Sequence, residues 1–186
     1  MVTSLHFETA PAQDREADPK TSEALLCGFD RLRGRQRLII MDAALMSKAG
    51  HHFSHDRALV EAAGRANIPN LVFGFEKCLP EVTRGIPMVP HFGIQPYFKP
   101  FLHTSAEEDF ATLNEAFLHC LANIPLEVTG RDVVVFPTVT QNQLLAIAAW
   151  MVKCATRRGC PRVVIGLMFA PDWLSITQRD SSQFDL

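Results

Sequence analysis

The chain has 186 residues, enough for one domain with a full hydrophobic core. Hydrophobic residues make up 47% and charged residues 20%, the balance of an ordinary globular protein. Eighteen basic residues against twenty acidic ones leave a net charge of −2, and without a basic surplus no nucleic-acid partner is expected.

Five cysteines (Cys27, Cys78, Cys120, Cys154, Cys160) are scattered and odd in number, with no zinc-knuckle or redox CxxC spacing. They read as reduced thiols of a cytoplasmic protein. No apolar signal-peptide core lies near the N-terminus. The longest apolar stretch, Leu144 to Val152, is too short to cross a bilayer, although contact with a membrane surface stays open.

Residues 1 to about 20 lack periodicity and read as a disordered leader. Residues 1–36 as a whole read as leader, with a short helix over Thr21 to Leu32 and Ala24, Leu25 and Phe29 on one side of it. Arg31, Arg33, Arg35 and Arg37 fall at every second position and are expected to form a solvated basic face. The ordered domain then spans 37–186.

Leu38 to Asp42 is a continuous apolar run closed by an acid, as in a strand covered on both faces. A loop with Gly50, His51 and His52 follows. A helix is predicted from about His55 to Ala66, with Leu59, Ala62, Ala63 and Ala66 as its apolar stripe. Asn70 to Phe75 is the second strand, and strand, helix and strand together fit a parallel crossover. Glu76 to Arg84 reads as a polar connection or a short helix. Residues 85–100 carry four prolines and two glycines, with a short strand over Met88 to Ile94, and read equally as a binding loop or as packing.

Ser105 and Glu108 form a capping box ahead of a helix with Phe110, Leu113, Phe117, Cys120 and Leu121 on one stripe. Asp132 to Phe136 is the next strand. A helix over Gln141 to Arg157 follows, with Leu144, Leu145, Ala148, Met151 and Val152 expected to face the core. Arg162 to Phe169 is the last strand. Strands alternate with helices, which predicts an α/β fold: a Rossmann-like, three-layer domain with a mostly parallel sheet and helices on both faces.

The loop after the first strand lacks GxGxxG, and neither a GxxxxGK[ST] loop nor a GxSxG elbow occurs. The chemistry that remains is the His51, His52, His55 cluster. In a parallel sheet, ligands bind outside the carboxyl ends of the strands. Gly50 lets a ligand approach the backbone, and backbone N–H groups at the following helix start attract anions. A neutral imidazole there can take a proton from a hydroxyl. A histidine that merely caps the helix or packs on the sheet is the structural alternative. On a helix His51 and His55 are i, i+4 neighbours able to share a metal, but no HExxH glutamate accompanies them and no metal is expected.

Asp42 can cap its own turn or orient a histidine. Thr138, Thr140, Gln141 and Asn142 follow the Asp132 strand on the same sheet edge. Their hydroxyls and amides suit a polyhydroxylated ligand, or Thr138 or Thr140 is simply an N-cap.

Asp42-x-x-Leu45, then Gly50-His51-His52-Phe53, then a helix with Ala62-Ala63, resembles the amino-terminal start of bacterial GT-B-type glycosyltransferases. The likeness extends through Phe136-Pro137-Thr138 and the Asn142 helix to Phe169-Ala170-Pro171. It implies a nucleotide-sugar-dependent, metal-independent transferase with no further cofactor, whose amino-terminal domain binds a sugar or lipid-linked acceptor. His51 and His52 would be catalytic. Asp42, Gly50, Phe53, Thr138, Thr140 and Asn142 would contact donor or acceptor. It also implies a carboxyl-terminal donor-binding domain beyond these residues, so that this chain alone would be inactive and a fragment. The competing expectations are a non-catalytic α/β ligand-binding or interaction module and a small zinc hydrolase built on the histidines.

Overall fold

The computed structural model describes residues 19–96, 106–157 and 159–168. In chain order they form α1 (Pro19–Asp30), β1 (Leu38–Met41), α2 (His51–Arg65), β2 (Asn70–Phe75), α3 (Pro80–Gly85), β3 (Met88–Phe92), α4 (Ala106–Ala122), β4 (Val133–Val139), α5 (Gln141–Arg157) and β5 (Arg162–Leu167). The strands form one parallel sheet in the order β3-β2-β1-β4-β5. This is the expected three-layer, Rossmann-like α/β fold.

Alternation along the strands builds two cores. Ile39, Met41, Leu71 and Phe73 point to one face, where they meet Phe29 of α1, Phe117 and Leu121 of α4, and Ile147 and Trp150 of α5. Ile40 and Val72 point to the other, against Phe53 of α2 and Val82 of α3. Both faces are covered, which is why β1 and β2 read as unbroken apolar runs. α1 is part of this packing through Phe29, so the core begins inside the stretch read as leader. The Ser105 half of the expected Ser105–Glu108 capping box lies outside the described residues.

Three sequence expectations are corrected. The four arginines are not one solvated face. Arg37 is fully buried, and its Nε and Nη2 donate to the two carboxylate oxygens of Asp132, each at 2.9 Å. Its Nη2 also donates to the Glu127 carbonyl at 2.7 Å, and its guanidinium lies over the Phe29 ring. Arg31, Arg33 and Arg35 are exposed, whereas Arg37 turns inward, where a buried acid 95 residues away satisfies it.

α2 starts four residues before the expected point, at His51. Its inward residues are Phe53, Asp56 and Ala63, with Leu59 and Val60 half-buried, whereas Ala62 and Ala66 are exposed. In α5 the buried stripe is Gln143, Ala146, Ile147 and Trp150, while Leu145 and Val152 are 59% and 65% exposed. α5 is apolar almost all round, so its periodicity does not fix its rotation; the large Trp150 ring, edge-on to Phe136, does. Exposure continues on β5, where Val164, Ile165 and Leu167 are open to solvent on the edge of the sheet.

Candidate functional site

Strand order fixes where a site can lie. Connections run outward from β1 through β2 to β3, then return past β1 to β4 and β5. The switch point is therefore between the carboxyl ends of β1 and β4. Asp42 follows β1 there and Thr138 stands near the end of β4.

Local backbone chemistry explains how Thr138 reaches Asp42. β4 pairs with β1 only from Val133 to Val135. Pro137 has no N–H for a ladder, and the β4–β5 register shifts between Phe136 and Val139. Gly166 of β5 accommodates the displaced strand, because a Cβ there would overlap the Pro137 carbonyl oxygen. Gly166→Ala should therefore destabilise the fold by about 1–3 kcal/mol, since backbone must move. Gly74→Ala should cost less, because its Cβ would meet the flexible end of Met88. Denaturant midpoints of the two variants check the order.

Asp42 does both things expected of it. One carboxylate oxygen accepts from Ala44 N at 3.0 Å and caps the turn. The other lies 2.8 Å from His52 Nδ1. Thr138 Oγ1 is 3.2 Å from Asp42 Oδ1 and 3.0 Å from His52 Nδ1, so the three side chains close a ring of hydrogen bonds. Asp42 and Thr138 are buried and His52 is 14% exposed. His52 also lines a cleft of about 240 Å³ with Ala44, Met46, Ser47, Ala49 and Gln95. The Gln95 amide reaches the Met46 sulfur and ties the loop after β3 to the loop after β1.

The other expected residues separate. Gly50 is the N-cap of α2, at φ 87°, a conformation that suits glycine, and it brings no side-chain cap. His51, exposed on the first turn, lies against His52 with ring centroids 4.2 Å apart. Slight desolvation, then the neighbouring imidazoles of His52 and His55, lower its proton affinity, and Asp42 opposes them. Phe53 points away into the α2–α3 core. Thr140 begins α5, where its backbone N–H donates to Gln143 Oε1 at 3.0 Å, one half of a capping box that the Thr140-x-x-Gln143 spacing already signals. Asn142 donates to the Pro96 carbonyl at 3.3 Å and braces the loop after β3. Of the residues after β4, only Thr138 joins the histidine.

Asp56 was not singled out in the sequence. It is fully buried, both carboxylate oxygens lack a hydrogen-bond partner among the described residues, and burial followed by the charge of Asp42 pushes its pKa up to about 9. The available signal was an acid on the inward stripe of α2, three residues after Phe53 and seven before Ala63.

Among the described residues, no group of three or more His, Cys, Asp and Glu is placed to hold a metal ion, and no helix is long and apolar enough to cross a membrane. His51 and His55 sit on adjacent turns with ring centroids 5.8 Å apart. Comparison of the chain with protein-family models, with curated proteins and with solved structures returns no match.

Proposed function

We propose that this chain is the acceptor-side half of a nucleotide-sugar-dependent, metal-independent glycosyltransferase, with His52 as the base that activates an acceptor hydroxyl. The observation that carries the reading is the 2.8 Å pair between His52 Nδ1 and Asp42, set at the switch point and opening on the cleft. With Nδ1–H donated to Asp42, the lone pair resides on Nε2, which takes the hydroxyl proton as the oxygen attacks the sugar. Asp42 holds the ring in that tautomer and offsets the charge of the imidazolium that forms. Thr138 fixes the carboxylate in turn.

The start of α2 supports the donor side of the reading. Gly50 leaves the first N–H groups of the helix without a side-chain cap, and such groups favour a phosphate. A donor-binding domain, in the same polypeptide or on a partner, completes the cleft. Apart from the His52 imidazole the lining carries no ionisable side chain, which suits a neutral hydroxylated acceptor. The resemblance of Asp42-x-x-Leu45 and Gly50-His51-His52-Phe53 to GT-B enzymes points the same way.

Two measurements test this. Titrating the chain with a panel of nucleoside diphosphates and nucleotide sugars should move the amide resonances of residues 50–54 and 138–142 together. In a protein complete enough to turn over, His52→Ala should lower kcat by about 10²–10⁴-fold with donor binding retained. An unperturbed loop together with full activity of the variant would sink the proposal.

A further inference from the structure

Five free thiols are spread over the fold, and two of them come together at one helix end. α5 ends at Arg157, the chain reverses through Gly159 at φ 90°, and Cys160 comes back beside the helix it has just left. Its Sγ stands 4.0 Å from the Met151 carbonyl oxygen. Cys154 follows Met151 by three residues, so both side chains leave the same face of α5, and both pack on the margin of the core that holds Trp150. The Cys154 thiol is pushed up first by burial and then by the charge Cys160 carries as a thiolate, with Arg157 opposing.

The setting of this pair is cationic. Cys160 is exposed and Cys154 half-buried. From Gln141 to Leu167 the sequence has no acid, while Lys153, Arg157 and Arg162 beside the two thiols are all exposed. Across the turn, Gly130 packs against Gly159 and is followed by exposed Arg131. Asp132 beyond it is buried and held by Arg37. Such surroundings favour a thiolate and draw in anions. The other three thiols are placed differently: Cys78 is buried in the opposite core, and Cys27 and Cys120 belong to α1 and α4.

We propose that Cys160 and Cys154 form a thiol pair that a small anionic disulfide, of the glutathione type, oxidises to an intramolecular bridge. Cys160, the exposed member, gives up its proton and attacks one sulfur of the disulfide. A new S–S bond forms at Cys160, the bond within the disulfide breaks, and one thiolate leaves with its electron pair. Cys154, as a thiolate, then attacks Cys160 Sγ, and the second small thiolate leaves. The protein loses two electrons and two protons, and one disulfide becomes two thiols. The arginines hold the anionic disulfide at the turn during the first step. The pair lies at the amino end of the sheet, where α5 hands over to β5, and the cleft lies at the carboxyl ends. It therefore stands or falls apart from the reading of His52.

The test uses the full chain, reduced and then exposed to excess glutathione disulfide at about pH 8, where an ordinary thiol is partly ionised. Peptide mapping should join residue 154 to residue 160. Cys154→Ser should halt after the first step, with glutathione retained on Cys160. Cys160→Ser should lose the bridge and leave residue 154 unmodified. Cys27, exposed on α1, serves as the single-thiol reference. Relative to it, Cys160 should react several-fold faster with glutathione disulfide than with the cationic disulfide cystamine at low salt. High salt, or Arg157→Gln with Arg162→Gln, should close that gap. A Cys160 that stays reduced, or that keeps its glutathione in the unsubstituted chain, overturns the proposal. So does a bridge mapped to other residues, or an equal preference for the two disulfides. The map of the unsubstituted chain decides the pairing even if a serine variant folds poorly.

Discussion

Replacing Arg37 by alanine should destabilise the protein by about 3–5 kcal/mol, because it strands the Asp132 carboxylate in the interior. Both side chains are fully buried, and the contact is bidentate. Asp132 has other donors, Thr129 N at 2.7 Å and Thr129 Oγ1 at 3.2 Å, which soften the loss without replacing a cation. The guanidinium also joins α1 to the segment between α4 and β4 through the carbonyls of Phe29 and Glu127. Asp132→Ala should cost a similar amount, leaving the buried guanidinium to the more distant Asp30 carboxylate, 3.9 Å from Nη1. The double change to well-packed apolar residues should recover most of it, since a buried pair is often matched by hydrocarbon of equal volume. Urea unfolding of the two single variants and the double variant measures this. Additive losses would mean that the two side chains do not act as a pair.

Asp56→Asn should make the protein more stable at neutral pH, by roughly 2–4 kcal/mol near pH 8, and change little near pH 4. The folded carboxyl holds its proton up to about pH 9, while the unfolded one releases it from its ordinary value of 3.8. Between those values the folded state binds the extra proton. The contribution of Asp56 to stability is thus complete below about pH 4, declines as pH rises, and is exhausted above about pH 9. Asparagine does not titrate and escapes that decline. Paired denaturation curves at the two pH values check the sign, and an equal effect at both would refute it.

Much of the architecture was legible because burial on both faces leaves a plain mark. Leu38–Met41, Asn70–Phe75 and Val133–Phe136 are runs too apolar and too short for anything but interior strands. The start of α2 was not legible for a local reason. It begins on a glycine and two histidines, with no serine, threonine or aspartate cap to announce it. The rotation of α5 was hidden because apolar residues lie nearly all round it. Arg37 defeated the reading because an arginine reads as solvated until the distant acid that makes its burial tolerable is in view.

At the candidate site, Asp42 and the histidine loop were visible as a strand end followed by a glycine. Which imidazole Asp42 engages was not, because His51 and His52 differ by about 100° around α2, and only the second turns inward. Thr138 and Thr140 look alike in sequence. Pro137 and the register shift separate them, giving one to the histidine and the other to the start of α5.

The central position of β1 has a consequence for the order of assembly. Its partner on one side, β2, follows after a single helix, but its partner on the other, β4, is about ninety-five residues downstream, as the pairing of Leu38 with Val133 shows. Closing so long a loop costs entropy before any contact repays it, and non-local pairing is slow. An intermediate made of β1, β2 and β3 with α2 and α3 would hold Asp42 and His52 but lack Thr138. The three-residue ring therefore reports complete folding, and in a refolding experiment its signals should emerge with the slowest phase.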